Sequence, residues 1–222
     1  MTLDIPAWRA AERARLMASR IALPAAERAR QDARINEMLF EAFPPLIGRA
    51  IGFYWPMRGE CDLRPVAARW HESGSRLALP AVVKKDHPLA YSQWSPGCAM
   101  GRDAFGVPVP QGGAAVTPDA LLVPPVGFDE AGYRLGHGTA YVDRTLAGLE
   151  PQPIRIAVGR EVNRIPTIHP QPHDVPMDFV VTERGVHEVT AAGLRLVARA
   201  AEVPGLVERM MQVRSSRQRA ER

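Results

Sequence analysis

Short apolar runs alternate with longer segments of helical periodicity along most of this chain. The runs end at glycine, proline or polar residues, which is typical of buried strands. Strands are predicted over 50–55, 76–80, 121–126, 154–158 and 179–182, with a further short strand over 89–92. Helices are predicted on both sides of a break near Leu23-Pro24 within 7–43, over 63–73, from just after Asp143 to about Leu149, and over 189–201 and 204–213. This alternation predicts an α/β fold with a mostly parallel central sheet flanked by helices.

The composition suits a globular protein with a buried core. The chain has 222 residues, of which 46% are hydrophobic, and it contains no internal repeat or clear linker. We therefore predict one domain over 1–214 and a frayed, basic tail over 215–222. No apolar window approaches the roughly 20 residues that span a bilayer, and the start lacks an apolar signal core, so a cytoplasmic protein without membrane contact is expected. Cys61 and Cys98 indicate neither a disulfide framework nor a zinc site.

The net charge of +4 comes almost wholly from arginine, since Lys84 and Lys85 are the only lysines. A modest basic excess suits an anionic small molecule such as a nucleotide. It also suits weak contact with nucleic acid, but no aromatic platform or nucleic-acid motif accompanies the terminal arginines. We therefore expect a small-molecule substrate and no nucleic acid, in a monomer or a weak homodimer.

The run from Tyr133 to Arg144 holds the most specific local pattern. It lies between a predicted strand and a predicted helix. Gly136 and Gly138 let the backbone pass close to a ligand, and the unpaired N–H groups of the following helix would face an anion. Arg134 and Arg144 add charge-assisted donors. The run predicts a phosphate site, although an ordinary turn between two elements explains the glycine pattern equally well.

Polar residues follow three of the predicted strands at their carboxyl ends. These residues are Glu60, the segment 134–143, and His173 with Asp174. Ligands of parallel α/β sheets bind beyond the carboxyl ends of the strands. This convergence favours a ligand site over the ordinary turn, but it does not identify a reaction.

Asp143 and Asp174 are the candidates for holding Mg²⁺, because this cation prefers carboxylate oxygen. The two residues lie far apart in the sequence, so their spacing adds no support. An ion pair between Asp143 and Arg144, and an Asx turn at Asp174, are the alternatives.

Glu60 could accept hydrogen bonds from an amino-bearing heterocycle. It could equally cap the next helix or pair with Arg58. Trp55 or Phe53 could lie against a flat ring, although packing in the core is the stronger expectation for both.

Arg9 and Arg13 are one turn apart on the predicted first helix, so their side chains would face the same way. Two guanidinium groups on one face can clamp a phosphate, whereas a solvated helix face is the simpler alternative. His137 and His173 invite a catalytic role, but a hydrogen-bonded loop histidine explains each of them, and their separation in sequence defines no dyad.

These residues together resemble the 5-formyltetrahydrofolate cyclo-ligase family, also called methenyltetrahydrofolate synthetase, over nearly the whole chain. The most specific match is Phe128-Asp129, then Arg134-Leu135-Gly136-His137-Gly138, Tyr141 and Asp143-Arg144, which is similar to the family's Phe-Asp and Arg-Leu-Gly-x-Gly-x-Gly-Tyr-Tyr-Asp-Arg signature. Supporting matches are Arg9 and Arg13 at a four-residue spacing, Glu60 followed by Asp62, Phe105-Gly106-Val107-Pro108, and His173-Asp174-Val175-Pro176 leading to Val181-Thr182.

The resemblance implies a single three-layer α/β domain, similar to sugar-phosphate isomerase and CoA-transferase-like folds, and an enzyme that uses ATP and Mg²⁺. In the family's reaction, ATP phosphorylates the formyl oxygen of 5-formyltetrahydrofolate to give an iminophosphate. The N10 amine attacks this group, and loss of phosphate yields 5,10-methenyltetrahydrofolate, with ADP as the other product.

Carried over by position, the resemblance also implies roles for individual residues. The nucleotide would be held by Arg9, Arg13, Arg134, Leu135, Gly136, His137, Gly138, Thr139, Ala140 and Tyr141. Asp143 and Asp174 would bind the metal, whereas Glu60, Trp55 and Tyr141 would bind the folate. Arg134 and Tyr141 are the expected catalytic residues.

The chain departs from the family pattern within the same loop. Ala140 and Val142 stand where a glycine and a second aromatic residue are usual, and a Cβ at a position that needs positive φ would cost about 1 kcal/mol. Arg9 replaces a common lysine, and the segment 160–163 lacks the usual glutamine. The cyclo-ligase is the first expectation, and Thr139-Ala140 motivates an alternative, a catalytically weak paralogue that binds folate or nucleotide as a regulatory or carrier module.

Overall fold

The computed structural model describes residues 3–220 and the side chains of residues 3–216. The helices are α1 (Ile5–Ala22), α2 (Ala25–Ala42), α3 (Arg64–Glu72), α4 (Tyr141–Gly148) and α5 (Val203–Ala220), with short 3-10 turns at Pro44–Leu46, Glu161–Asn163 and Ala200–Glu202. The strands are β1 (Ala50–Gly52), β2 (Arg76–Ala81), β3 (Ala90–Trp94), β4 (Met100–Arg102), β5 (Pro108–Pro110), β6 (Ala120–Val123), β7 (Gly127–Asp129), β8 (Arg134–Leu135), β9 (Ile154–Val158), β10 (Arg164–Ile165), β11 (Phe179–Thr182), β12 (Gly185–Thr190) and β13 (Gly193–Leu196).

An eight-stranded sheet forms the centre of the molecule, in the order β13-β12-β11-β9-β6-β1-β2-β3. Its five central strands, from β11 to β2, are parallel, and antiparallel strands extend it at both ends. Two small sheets, β10-β7-β8 and β4-β5, lie outside it. The predicted single-domain α/β fold with a mostly parallel sheet is therefore confirmed.

Side chains of alternate residues in the central strands face opposite layers of the core, as the pleat requires. Leu122, Ile156 and Phe179 pack with α2, α3 and α5 on one face. Leu121 and Val180 pack on the other face with α4, which contributes Leu146. The helices thus cover both faces, and α4 is fixed to the face away from α2 and α3.

Helix α1 packs against the small sheet instead of the large one. Leu16 lies in a separate buried cluster with Val126, Leu135 and Ile168. The Asp4 side chain accepts a hydrogen bond from the Ala7 amide at 3.1 Å and caps the helix. This packing brings the arginines of α1 beside the glycine loop.

The predicted helix over 189–201 is wrong. The segment completes β12, turns at Gly193 with φ of +110°, and continues as β13. Val189 and Leu194 face each other across the hairpin and pack against the core. Pairing next to β11 thus outweighs the helix propensity of an alanine- and leucine-rich segment.

Several other boundaries differ from those predicted. The strand over 50–55 ends at Gly52, and the helix predicted from just after Asp143 begins at Tyr141. The strand over 121–126 ends at Val123, and after Pro124 and Pro125 the chain enters β7 of the small sheet, because proline cannot continue a central strand. The glycine run therefore follows β8 and not the large sheet. At the C-terminus, α5 is helical to Ala220, beyond the predicted end at residue 213 and into the predicted tail, and residues 221–222 lie outside the described part.

None of the helices in the described residues is long and apolar enough to cross a membrane.

Candidate active site

A cavity of about 410 Å³ opens at the carboxyl ends of the parallel strands. Residues just beyond β1, β2 and β6 form its floor, as expected for a ligand site in a parallel α/β sheet. Its lining consists of Tyr54, Trp55, Met57, Arg58, Glu60, Pro80, Val82, Leu89, Asp103, Phe105, Val107, Pro108, Val123, Pro124, Arg134, Gly136, His137, Thr139, Ala140, Tyr141, Val142 and Asp143. The predicted convergence of Glu60 with the glycine loop is therefore present in the fold.

Glu60 lines one side of this cavity, and its side chain is only 6% exposed. The Met57 amide donates to Glu60 Oε2 at 3.1 Å, while His137 Nε2 lies 3.1 Å from Oε1. Arg20 Nη2 approaches Oε1 to 3.6 Å. Neither alternative predicted for Glu60 is found. Glu60 pairs with Arg20 instead of Arg58, and the carboxylate that accepts from the first amide of the following helix is that of Asp62.

Arg20 fixes the turn that carries Glu60. Its Nε donates to the Arg58 carbonyl at 3.1 Å and its Nη1 to the Pro125 carbonyl at 3.2 Å. Burial lowers the pKa of Arg20, an effect that the nearby carboxylate of Glu60 opposes. The buried guanidinium therefore holds the Met57–Glu60 turn against the cavity wall.

Arg134 and Asp143 form an ion pair that also lines the cavity. Arg134 Nη2 lies 2.8 Å from Asp143 Oδ1, and Arg134 Nη1 donates to the Val175 carbonyl at 3.0 Å. Only 3% of the Arg134 side chain is exposed. The alternative pair of Asp143 with Arg144 is not found, because Arg144 instead donates to the Thr139 carbonyl and lies over the Tyr141 ring.

The glycine loop bends beside this pair. Gly138 has a φ of +91°, and Ala140, the residue before α4, has a φ of +52°. A Cβ added at Gly136 would meet no described protein atom within 4 Å, so the backbone there is open to a ligand. Ala140 is the position where the sequence suggested a need for positive φ, and that expectation is confirmed.

Arg13 covers the other side of the loop. Its Nε donates to the Gly136 carbonyl at 2.8 Å, and its guanidinium carbon lies 3.4 Å from where a Cβ of Gly138 would be. Burial lowers the pKa of Arg13, and the nearby charge of Arg9 lowers it further. Arg13 therefore supports the loop from behind, and neither Arg13 nor Gly138 lines the cavity.

Arg9 and Asp174 bind each other away from the cavity. Arg9 donates through Nε to the Ile168 carbonyl at 3.1 Å, through Nη2 to the His169 carbonyl at 3.0 Å, and through both Nη atoms to Asp174. Burial by itself raises the pKa of Asp174, but the hydrogen bonds from Arg9 and the Gln171 amide hold it below its ordinary value. The predicted two-arginine clamp is therefore not assembled around the cavity.

Two further predicted residues lie elsewhere. Leu135 is 1% exposed and belongs to the core beneath α1, so its side chain cannot line the cavity. His173 is exposed and lies 3.9 Å from Asp174, well apart from His137 on Glu60. Within the described residues, no group of three or more histidine, cysteine or acidic side chains is arranged to hold a metal ion.

Aromatic side chains form much of the cavity wall. Trp55 lines it, whereas Phe53 is fully buried against Trp94 with ring centroids 5.1 Å apart. Phe105 approaches Tyr141 with centroids 6.1 Å apart. Sequence reasoning from the residues missed Tyr54 and the wall formed around the β4-β5 hairpin, although the match at Phe105-Gly106-Val107-Pro108 marked that segment.

A model of the 5-formyltetrahydrofolate cyclo-ligase family matches residues 5–183. The chain belongs to this family. Over 150 residues it is 33% identical to the 5-formyltetrahydrofolate cyclo-ligase of Mycolicibacterium smegmatis, a match that covers 63% of this chain and 76% of the relative. The cyclo-ligase of Escherichia coli strain K12 is 28% identical over 161 residues, which cover 66% of this chain and 85% of that relative.

Solved structures agree with this family assignment. The NMR structure of the Aquifex aeolicus 5,10-methenyltetrahydrofolate synthetase superposes with a TM-score of 0.72 at 28% identity, over 86% of this chain and 96% of that one. The synthetase from Mycoplasma pneumoniae shares the fold, with a TM-score of 0.66 at 23% identity over 79% and 98% of the two chains. The predicted membership of an enzyme family, the cyclo-ligases, is therefore confirmed.

The cyclo-ligase segment without the usual glutamine has a structural role in this chain. Arg160 is 1% exposed, donates to the Gly59 carbonyl at 2.9 Å and pairs with Asp32. It thus holds the turn before Glu60 from the side opposite the cavity.

Proposed function

We propose that this protein catalyses the ATP- and Mg²⁺-dependent cyclisation of 5-formyltetrahydrofolate to 5,10-methenyltetrahydrofolate, with release of ADP and phosphate. The observation that carries this proposal is one cavity lined by Glu60, Arg134 and the glycine loop, whose His137 contacts Glu60. A folate amino group suits Glu60, and a phosphate suits Arg134 and the loop backbone. Both substrates would then meet within one cavity.

The chemistry explains why two substrates must meet. A formamide oxygen is a poor leaving group, whereas phosphate is a good one, so transfer of the terminal phosphoryl group to the formyl oxygen gives an iminophosphate that the N10 amine can attack. The chain must therefore align the formyl oxygen with the phosphate and exclude water from the activated group.

Each part of the cavity would supply one of these requirements. The Glu60 carboxylate accepts hydrogen bonds from the amino-bearing edge of the pterin, while Trp55 and Tyr141 bound flat rings. Arg134 donates to phosphate oxygens, as do the backbone N–H groups between Gly136 and Tyr141. Arg134 and Tyr141 are proposed as the residues nearest the reacting atoms.

Asp143 fits a role in holding Mg²⁺. It lines the cavity, and its Oδ1 accepts the Val175 amide at 3.1 Å and pairs with Arg134. Mg²⁺ usually takes one or two carboxylates together with substrate phosphates, and it neutralises charge on the phosphates. Asp174 precedes Val175 in the chain, but it does not line the cavity and would have to leave Arg9 before it could bind a metal.

A direct assay tests the proposal. The purified protein is mixed with 5-formyltetrahydrofolate, ATP and Mg²⁺, and the methenyl product is followed by absorbance while released phosphate is counted. We expect product and phosphate in equal amounts, and neither when ATP or folate is omitted. A protein that gives no turnover at saturating substrates would contradict the proposal.

The alternative function keeps one specific observation in its favour. Ala140 occupies a left-handed conformation at the start of α4, which strains the loop that would receive the nucleotide. A paralogue that binds folate or nucleotide without turnover would show tight binding in calorimetry and no product in the assay. Small-molecule partners, a cytoplasmic location and a monomer or weak homodimer remain predictions.

A further inference from the structure

Two tyrosine hydroxyls meet behind the cavity floor. Tyr54 Oη lies 3.0 Å from Tyr91 Oη, and Tyr54 lines the cavity while Tyr91 lies beneath it, 4% exposed. The missing side chain of Gly52 in β1 leaves room for Tyr91, because a Cβ at Gly52 would lie only 2.8 Å from Tyr91 Cε1. The pair is thus a fixed part of the fold.

The pair has one donor more than its own hydrogen bond consumes. Each hydroxyl carries one hydrogen, and one of the two is used between them. Within the described residues, neither hydroxyl makes another hydrogen bond. Either hydroxyl can donate to the other, but Tyr91 is buried and only Tyr54 lines the cavity. The arrangement that pairs both donors therefore has Tyr91 donating to Tyr54 and the Tyr54 hydrogen directed to an acceptor in the cavity.

The surroundings of Tyr54 keep its hydroxyl protonated. Burial raises the pKa of Tyr54 to about 12, the Arg134 charge opposes this shift, and the charges of Asp143 and Glu60 add to it. Burial also raises the pKa of Tyr91. The hydroxyl of Tyr54 is therefore a neutral donor at working pH, close enough to Arg134, Asp143 and Glu60 to be affected by their charges.

We propose that Tyr54 is a further catalytic residue, whose hydroxyl donates a hydrogen bond to an oxygen of the reacting centre, where the formyl oxygen meets the phosphoryl group. Tyr91 is a positioning residue that directs this hydroxyl. The inference rests on the proposed function, and it assigns a role that the glycine loop and Glu60 do not fill. A donor that strengthens as charge develops acts on kcat more than on binding.

Tyr54→Phe and Tyr91→Phe test the proposal, because each removes only an oxygen. We expect Tyr54→Phe to lower kcat by roughly 10- to 100-fold, while the dissociation constants of ATP and of 5-formyltetrahydrofolate change less than about threefold. Tyr91→Phe should lower kcat by roughly 3- to 10-fold. The double variant should be no slower than Tyr54→Phe, since Tyr91 acts through Tyr54.

Ser73→Ala, which removes only a hydroxyl oxygen at the end of α3 and outside the cavity, is the control and should leave kcat unchanged. A kcat of Tyr54→Phe within twofold of wild type overturns the inference, as do independent, multiplying losses in the double variant. Should Tyr54→Phe fold poorly, Tyr91→Phe decides alone, because an unchanged kcat there also overturns it. A wild-type protein without turnover fails the proposed function itself, whereas an active wild type with an unaffected Tyr54→Phe fails only this inference.

Discussion

Two arginine–aspartate pairs flank the glycine loop, and they differ in what surrounds them. Arg134 and Asp143 both line the cavity, whereas Arg9 and Asp174 do not. Arg9 also donates to the Ile168 and His169 carbonyls, so its hydrogen-bond donors are already occupied by the loop that contains them. We infer that the first pair serves ligands and that the second fastens α1 to the proline-rich loop.

This difference concerns hydrogen-bond partners and not residue types. Both pairs carry the same charges, and both arginines are at most 10% exposed as side chains. An arginine whose donors already face backbone carbonyls must lose those bonds before it can bind phosphate, and buried groups left unpaired are costly. The cavity pair has less to lose, because Arg134 donates to one backbone carbonyl, that of Val175, whereas Arg9 donates to two.

The largest effect is expected from Arg134→Ala. Loss of a buried charge-assisted donor to the phosphate should lower kcat/KM by roughly 10²- to 10³-fold, with ATP binding weakened more than folate binding. Steady-state kinetics and calorimetry with each substrate measure this. Arg164→Ala, which removes a partly exposed partner of Glu130 outside the cavity, is the matched control. Equal weakening of ATP and folate binding would show that Arg134 is wrongly assigned to the phosphates.

Arg9→Ala should have the opposite signature. Breaking a buried ion pair costs about 3 kcal/mol in the free energy of unfolding, while kcat at 25 °C should stay within about threefold of wild type. Urea unfolding and the kinetic assay measure the two quantities. Arg15→Ala, on the same helix but exposed beside Glu12, should change stability by less than about 0.5 kcal/mol. Unchanged stability with lost ATP binding would make Arg9 a phosphate ligand after all.

Glu60→Gln tests whether folate binding depends on Glu60 while ATP binding does not. The amide keeps the shape of the carboxylate but loses its charge and one acceptor, so folate binding should weaken by roughly 10- to 50-fold with little change for ATP. Calorimetry with each ligand measures the split. Glu37→Gln, at an exposed pair with Arg69, is the control. A change in ATP binding as large as that in folate binding would contradict the assignment.

The fold was predictable where local pattern and tertiary packing agree. The break between α1 and α2 at Leu23-Pro24 follows from proline, and the central strands follow from runs buried on both faces. The hairpin over 185–196 was not predictable from composition, because Val189 and Leu194 are stabilised by pairing beside β11 and not by local propensity. Pro124 and Pro125 end β6, although the prediction continued the strand through them to Val126, and where the chain goes next depends on packing with α1.

The candidate site was predictable to the level of its segments. Strand ends and the signature brought Glu60 and Arg134 to one cavity, as the parallel sheet requires. What the sequence does not contain is the use of each donor, so Arg9 and Leu135 were expected at the ligand and lie in structural contacts instead. Tyr54 was missed because its relevance comes from a hydroxyl 37 residues away in sequence.

A smaller effect concerns how the stability that the Arg9–Asp174 pair provides depends on pH. The pKa of Asp174 is lower in the folded protein than its ordinary value of 3.8, so its contribution to stability is complete above that value and is lost as pH falls through the lower, folded pKa. Asp174→Asn should therefore destabilise the protein at pH 6 but less so near pH 3. Urea unfolding at both pH values measures this, with the exposed Asp86→Asn as control. An equal cost at both pH values would mean that the charge of Asp174 is not what holds the loop.

The smallest effect tests the strain at the start of α4. Ala140 has a φ of +52°, where glycine is favoured, so Ala140→Gly should raise the free energy of unfolding by about 0.5–1 kcal/mol. Ala147→Gly, at an exposed position inside the same helix, should lower it by about 1 kcal/mol, and the opposite signs exclude a general effect of glycine. If the strain also hinders approach of the nucleotide, Ala140→Gly raises kcat/KM for ATP as well. A more stable variant with unchanged kinetics would mean that the strain at Ala140 affects only the stability of the fold, as the Arg9–Asp174 pair does. In that case Gly136 and Arg134 serve the ligands, and Ala140 does not.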